Sequence, residues 1–312
     1  APMPEPLTDK LQRHLNEYSA RTHRWLVDHG WAPSQTDYQP FVVVCNIRTG
    51  STMLRSLLDD HPAVRMFFEL FHLHPDRVPF DVPGYAAKAE DPAVVRLRNT
   101  DPVAFLQSEV FTAYPPSIRA VGFKLLYTQA RTRHMWWDDP PYDRWWTHID
   151  HAVDWTRADS DVWDYLADHT DIAVIHLTRE NLLKQKVSGA LAKASGRWGI
   201  GATGGIGTPD EEPTVTLNPT HCHQDFEATR RMQRDIDARF FDHRTLDITY
   251  EQLVDRRGEI LARVQEFIGV PARPLETETR KQRKRPLHEV IDNYDALRAE
   301  LDDTPWASFF DG

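Results

Sequence analysis

The most constraining feature of this sequence is a short apolar run, FVVVCNI at residues 41–47, followed at once by RTGST at residues 48–52. An unbroken apolar run of this length is typical of a strand buried on both faces, as in a parallel sheet. The next residues, MLRSLLDDH, have the apolar spacing of a helix. Strand, loop and helix in this order place free backbone N–H groups and the positive end of a helix dipole at the loop, which favours an anion there.

Three further segments are predicted strands: AVGFKLL at 120–126, IAVIHL at 172–177 and TLDIT at 245–249. Helical patterns lie between or after them, and strands that alternate with helices indicate βαβ units. We therefore predict an α/β fold with a central parallel sheet flanked by helices. The predicted helices are 160–168, 180–195, 221–241, 250–255, 257–268 and 287–301.

The chain has no internal repeat and no sharp change in composition, so we predict one domain over residues 1–312. Residues 1–38 form an N-terminal helical extension in this interpretation. Two insertions stand out, 127–170 and 196–220. The first contains a segment, 134–165, with six of the ten tryptophans, and the second begins with a segment, 196–207, that holds six of the fourteen glycines.

Composition excludes several classes of protein. Lysine and arginine number 37 and aspartate and glutamate 47, so the net charge is −10, which argues against binding nucleic acid or an anionic membrane. The longest aliphatic stretches fall far short of the roughly 18–20 apolar residues that span a bilayer. The first residues, APMPEPLTDK, do not resemble a signal peptide, so we expect a cytoplasmic protein. Two cysteines exclude a disulfide framework and a cysteine-rich zinc site.

The loop at 48–52 favours a particular chemistry. Gly50 would let the backbone approach a ligand, while Ser51 and Thr52 would donate hydroxyls or simply cap the helix. The loop is not a Walker A motif, since no Gly-Lys pair occurs in the chain. Arg48 stands where a charge clamp is needed. A sulfuryl group carries less negative charge than a phosphoryl group, so a cation and hydrogen-bond donors can support its transfer without a metal.

Residues 41–62, FVVVCNIRTGSTMLRSLLDDHP, resemble the 5′-phosphosulfate-binding loop and helix of sulfotransferases that use 3′-phosphoadenosine 5′-phosphosulfate (PAPS). The segment FELFH at 68–72 is similar to the one that carries the catalytic glutamate in carbohydrate and tyrosylprotein sulfotransferases. Residues 172–198 resemble the 3′-phosphate-binding strand and helix of the bacterial trehalose-sulfotransferase group. Residues 248–271 are similar to a YEDL…FLG stretch of Golgi-type and bacterial members, and residues 279–301 resemble the C-terminus of rhizobial Nod-factor sulfotransferases.

The resemblance implies a P-loop-like sulfotransferase fold and a PAPS-dependent enzyme that needs no metal and releases adenosine 3′,5′-bisphosphate. It also implies three groups of donor-binding residues: the loop, the 3′-phosphate pair, and a C-terminal basic group that closes over the nucleotide. These are Arg48, Thr49, Gly50, Ser51 and Thr52; Arg179 and Ser188; and Arg280, Lys281 and Gln282.

Glu69 is the candidate general base, because an acceptor hydroxyl must lose a proton as it attacks sulfur. Its apolar neighbours predict a raised pKa. His72 or His74 could act instead or assist. Lys124, near the end of a predicted strand, contacts the sulfuryl group or the acceptor, or is only structural. Arg48 would stabilise the charge that develops on the bridging oxygen.

The acceptor is predicted separately from the donor. The C-terminal resemblance favours a hydroxyl of a carbohydrate or glycolipid, and the two insertions would shape its site. A phenol, an amine or a peptide tyrosine of a natural product remain open. Alternatives of another class are a P-loop kinase of small molecules, which would require a loop lysine and Mg²⁺, and a non-catalytic nucleotide-binding module. The sequence leaves open whether the protein is a monomer or a homodimer.

Overall fold

The computed structural model describes residues 20–22, 24–72, 76–130, 160–196, 213–277 and 285–311. Within these residues the centre of the protein is a five-stranded sheet in which every neighbouring pair is parallel. The spatial order is β2-β3-β1-β4-β5. The strands are β1 (Gln39–Cys45), β2 (Val64–Phe67), β3 (Ala120–Leu126), β4 (Ala173–Thr178) and β5 (Thr245–Thr249).

Helices connect the strands and cover the sheet, as expected for parallel strands that need crossover connections. Residues 24–28 are also helical, and short 3₁₀ turns lie at Ala86–Lys88 and Ala307–Phe310, with a π turn at Leu106–Val110. Among the described helices, none combines the length and the apolar character that crossing a bilayer requires. The helices are α1 (Ser51–Asp59), α2 (Pro92–Thr100), α3 (Pro102–Phe105), α4 (Asp161–Asp168), α5 (Leu182–Ser195), α6 (Pro219–Arg239), α7 (Tyr250–Asp255), α8 (Arg257–Phe267), α9 (Leu287–Val290) and α10 (Tyr294–Leu301).

The apolar run of β1 is buried on both faces, which explains why it does not alternate with polar residues. Val42 and Val44 belong to a core that includes residues of α4 and α6. Phe41 and Val43 belong to a second core on the other face, with residues of α1 and α8. A third apolar cluster joins α5, α6 and the C-terminal residues 287–310.

The order of the strands determines where the site lies. From β1 the chain builds β2 and β3 on one side of the sheet, and β4 and β5 on the other. Open α/β sheets bind ligands at the carboxyl ends of the strands, at the point where the order reverses. Here that point is the end of β1, where residues 46–50 begin.

The predicted α/β fold is confirmed, with differences in detail. The sequence analysis missed β2, α2 and α3. The helix predicted at 287–301 is two helices, because Ile291 pairs in a bridge with Val215 and Asn293 accepts a hydrogen bond from the N–H of Leu217. Most of the N-terminal extension and of the two predicted insertions lies outside the described residues.

Candidate active site

The loop between β1 and α1 is a tight turn held by its own side chains. The hydroxyl of Thr49 donates to the carbonyl of Asn46 at 2.9 Å, and the side-chain oxygen of Asn46 accepts from the N–H of Ile47 at 2.8 Å. Arg48 and Gly50 both have left-handed backbone angles, with φ of 59° and 79°. A non-glycine residue in this region is strained, and such strain concentrates at functional sites.

Gly50 is required for a reason that the sequence analysis did not predict. A Cβ at this position would lie 2.6 Å from Cδ2 of Tyr250, in the first turn of α7. The positive φ adds a second requirement for glycine. The contact that the structure shows at Gly50 is therefore with Tyr250.

Two residues of α5 and one at the end of β4 attach to the loop. Nε of Arg48 donates to the hydroxyl of Ser188 at 3.0 Å, and Nε2 of Gln185 donates to the carbonyl of Ile47 at 2.8 Å. Nη1 of Arg179, which directly follows β4, donates to the carbonyl of Arg48 at 3.1 Å. The structure thus brings together the predicted 5′-side and 3′-side residues, which are more than 130 positions apart in the sequence.

The two arginines form a concentrated positive charge at the start of α1. Burial, together with the nearby charge of Arg179, lowers the pKa of Arg48 below its ordinary value. Burial also lowers the pKa of Arg179, whose guanidinium lies over the ring of Tyr250 at 4.4 Å. Nε of Arg179 is buried without a hydrogen-bond partner, and the nearest carboxylate oxygen of Glu251 is 3.9 Å away. Two confined cations at a helix N-terminus suit an anionic group of a ligand.

The hydroxyls of the loop take different positions. Thr49 and Ser51 are buried and lie within hydrogen-bond contact of the Cys45 thiol, whose pKa burial raises. Thr52 is exposed. The N-cap of α1 is Gly50, and no side chain caps the helix by a hydrogen bond. Capping therefore does not explain the hydroxyl residues at 51 and 52.

Glu69, just after β2, is buried and held at both carboxylate oxygens. Nζ of Lys124, on β3, donates to Oε1 at 2.7 Å. Nε2 of Gln129 donates to Oε2 at 2.8 Å. Glu69, Lys124 and Gln129 are each at most 6% exposed, so this is a desolvated ion pair with one additional amide contact.

The expected raised pKa of Glu69 is wrong. Burial on its own would raise this pKa, but the ammonium of Lys124, the charge of His72 and the amide of Gln129 together hold it below its ordinary value. The sequence showed the apolar neighbours of Glu69 but not the lysine, which lies 55 positions away. Glu69 is consequently ionised at neutral pH.

The segment around Glu69 is held in place by the buried Arg98. The N–H of His72 donates to the carbonyl of Glu69 at 2.9 Å, so His72 continues the same turn. Nη1 of Arg98, a fully buried residue of α2, donates to the carbonyls of Leu70 and Arg77 at 3.3 and 2.9 Å. Burial lowers the pKa of Arg98 to about 10. The sequence analysis had not singled out Arg98.

Several predicted site residues lie outside the described residues: Arg280, Lys281, Gln282, His74 and all tryptophans of 134–155. Their flanks are described. Thr277 donates through its hydroxyl to Ser56 of α1 at 2.9 Å, so residue 277 lies beside that helix. Trp163 is fully buried, and its Nε1 donates to the carbonyl of Gln129 at 2.8 Å.

A second polar cluster lies on β4. Nδ1 of the buried His176 is 3.1 Å from Asp237 and 3.4 Å from Asp247, and Nε2 is 2.6 Å from the hydroxyl of Tyr127. His176, Asp237 and Asp247 each have one potential metal-ligand atom within 4.8 Å of those of the other two. Hydrogen bonding to the imidazole accounts for this arrangement, and we assign no metal to it.

Comparison with known proteins assigns the chain to a family. The chain is 27% identical over 280 residues to nodulation protein H of Rhizobium tropici, covering 88% of this chain and 93% of that protein. It is 25% identical to nodulation protein H of Rhizobium meliloti strain 1021, covering 88% and 95%. A crystal structure of a sulfotransferase from Alicyclobacillus acidocaldarius aligns with a TM-score of 0.41 and 13% identity over 87% of this chain and 91% of that one. The model of the Sulfotransferase family matches residues 40–274, more than half of the chain, and this protein therefore belongs to the sulfotransferase family.

Proposed function

We propose that this sulfotransferase takes its sulfuryl group from PAPS and transfers it to a hydroxyl of a carbohydrate or glycolipid, with Glu69 as the general base. The proposal rests on one observation: Arg48 is hydrogen-bonded to both Ser188 and Arg179 at the start of α1. Membership of the family decides against the kinase and the non-catalytic module.

In this proposal the loop and the first turn of α1 hold the 5′-phosphosulfate, and Arg179 and Ser188 hold the 3′-phosphate. The fit is supported by the buried Nε of Arg179, which makes no hydrogen bond, and by the hydroxyl of Ser188. The segment with Arg280, Lys281 and Gln282 would contact the nucleotide at its 3′-phosphate or adenine side. Its position in the chain supports this role, because the preceding Thr277 contacts α1.

The reaction is a single displacement at sulfur. The acceptor oxygen forms a bond to sulfur while the bond from sulfur to the bridging phosphate oxygen breaks, and adenosine 3′,5′-bisphosphate leaves. Glu69 takes the acceptor proton, and Lys124 and Arg48 stabilise negative charge on the sulfuryl and bridging oxygens. His72 adjoins Glu69 and assists the acceptor. A carboxylate offers about four acceptor positions, so the contacts of Lys124 and Gln129 leave room for the acceptor hydroxyl.

The acceptor class is proposed from the relatives and from the C-terminal segment. The relatives over most of the chain length are nodulation proteins H, and the C-terminal segment resembles enzymes that act on carbohydrate 6-hydroxyls. We therefore propose a small glycan or glycolipid acceptor.

Binding of adenosine 3′,5′-bisphosphate tests the donor. We would titrate it calorimetrically, in EDTA, into wild type, Arg179→Ala and Arg244→Ala. Arg244 is a suitable control because it lies at the amino end of β5, where it contacts the carbonyl and ring of Phe267. A lost charge-assisted contact weakens binding about 10- to 150-fold. We expect this loss in Arg179→Ala alone.

Two results would contradict the donor assignment. The first is no heat with wild type, accompanied by binding of ATP with Mg²⁺. The second is equal binding by wild type and Arg179→Ala.

The acceptor is then tested with radioactive PAPS and a panel of sugars, glycolipids, phenols and amines. Label that enters only phenols or amines would overturn the carbohydrate assignment and leave the donor assignment intact.

A further inference from the structure

We propose that Gln129 is a positioning residue for the reaction, whose side-chain amide holds the Glu69 carboxylate in the orientation that takes up the acceptor proton. This inference rests on the proposed role of Glu69 in sulfuryl transfer. Gln129 lies in the turn that follows β3, and no sequence motif marks it. Its contact on Oε2 of Glu69, at 2.8 Å, is opposite to the contact of Lys124 on Oε1.

The amide of Gln129 can take only one orientation. Its Oε1 accepts a hydrogen bond from the N–H of Leu126 at 3.1 Å while its Nε2 donates to Glu69. A reversed amide would place a donor against the N–H of Leu126 and an oxygen against the carboxylate. The side chain is therefore fixed by two complementary contacts, and it is only 5% exposed.

The backbone of Gln129 is fixed as well. Its N–H donates to the carbonyl of Leu126 at 2.9 Å, and its carbonyl accepts from Nε1 of Trp163 at 2.8 Å. Trp163 belongs to α4 and is fully buried. The hydroxyl of Ser160, the N-cap of α4, donates to the carbonyl of Ala130, whose φ of 49° ends the turn. The turn that carries Gln129 is thus attached to a helix more than 30 residues away.

Gln129 and Lys124 have different tasks because one is neutral and the other charged. Lys124 of β3 is paired in register with Val43 of β1, two residues before Cys45, and its charge acts to lower the pKa of the buried Cys45 thiol near the start of the loop. An anionic donor on the loop attracts the ammonium of Lys124. The neutral amide of Gln129 is not attracted to the anionic donor in this way. Its hydrogen bond keeps the carboxylate of Glu69 in place while Lys124 interacts with both Glu69 and the donor.

The test measures the Glu69 carboxyl directly, so it needs no acceptor. Protein labelled with carbon-13 in the glutamate side chain is titrated by NMR, and Glu69→Gln assigns the resonance. The variants are Gln129→Met and the shorter Gln129→Asn, which both withdraw the amide. The matched control is Gln265→Met. Gln265, in α8, is 1% exposed, and its side chain is likewise held by hydrogen bonds, in this case three, to Leu261 and Arg273.

A hydrogen bond to a carboxylate favours its charged form. We expect the pKa of Glu69 to rise by about one to two units in both Gln129 variants and to stay unchanged in Gln265→Met. With PAPS and a working acceptor, kcat falls about 10- to 100-fold, its acidic limb moves to higher pH, and the donor KM is unchanged.

An unchanged titration of Glu69 in folded Gln129→Met would overturn the inference. It would be overturned equally if both Gln129 variants failed to fold while Gln265→Met folded, since the role would then be purely structural. Binding of adenosine 3′,5′-bisphosphate separates this inference from the proposed function. Wild type that fails to bind it contradicts the donor, whereas variants that bind as wild type does while Glu69 titrates differently support the role of Gln129.

Discussion

Replacing Lys124 by methionine tests the buried ion pair on which the candidate site depends. The ammonium and the Glu69 carboxylate are 2.7 Å apart, and both side chains are buried. Removing one partner of such a pair leaves a buried charge without compensation, which typically costs about 3–5 kcal/mol. For a chain of this length, that loss lowers the melting temperature by about 5–8 °C.

The loss depends on pH in a defined direction. In wild type the pKa of Glu69 lies below its ordinary value of 4.5, so Glu69 stabilises the fold above that pH and this contribution is lost as the pH falls through the folded-state pKa. Without Lys124, burial dominates and raises the pKa of Glu69 above 4.5. The variant then becomes less stable as the pH rises, and the difference from wild type is larger at pH 7–8 than at pH 5.

The assay is urea unfolding of wild type and Lys124→Met between pH 5 and pH 8. The matched control is Lys88→Met, which removes a 2.8 Å pair with Glu109 where the lysine side chain is 28% exposed. Such partly solvated pairs contribute about 1 kcal/mol or less. A loss below about 1 kcal/mol for Lys124→Met, equal at both ends of the pH range, would refute the account of how Glu69 is held ionised.

Two glycine substitutions should act in opposite directions. Gly50→Ala must adopt a φ of 79° and place its Cβ 2.6 Å from Tyr250, so we expect a loss of about 2–4 kcal/mol and weaker binding of adenosine 3′,5′-bisphosphate. Gly258→Ala, in helix α8 with open space around its Cβ, should stabilise the fold by about 0.5 kcal/mol and leave binding unchanged. Calorimetry checks both, and a neutral Gly50→Ala would contradict the described packing of the loop.

The parallel sheet could be predicted mainly because its central strands, β1, β3 and β4, are buried and largely apolar. AVGFKLL and TLDIT have the predicted bounds, and β1 and β4 differ from prediction by one or two residues. The strand β2 was missed because VRMF is only four residues long and continues into the apolar run MFFELF. Short apolar runs of this kind do not separate strand from helix by periodicity.

The candidate site was predictable in its residue types but not in its contacts. Arg48, Arg179 and Ser188 could be named from motifs, since each follows a recognisable strand or lies on the next helix. The partners of Glu69 could not, because Lys124 and Gln129 meet it only through the pairing of β2 with β3. Local sequence predicted a raised pKa for Glu69, and the tertiary ion pair reverses it.

The most direct test of the account is transfer of radioactive sulfur from PAPS by wild type, Glu69→Gln and the exposed control Glu266→Gln of α8. We predict that wild type and Glu266→Gln are equally active. Each should form the labelled sulfate ester together with unlabelled adenosine 3′,5′-bisphosphate. Glu69→Gln should lose about 10²- to 10⁴-fold in kcat while it binds adenosine 3′,5′-bisphosphate as wild type does. Full activity of Glu69→Gln would contradict the role of the base, and absence of any transfer by wild type across the acceptor panel would contradict the proposed donor and acceptor.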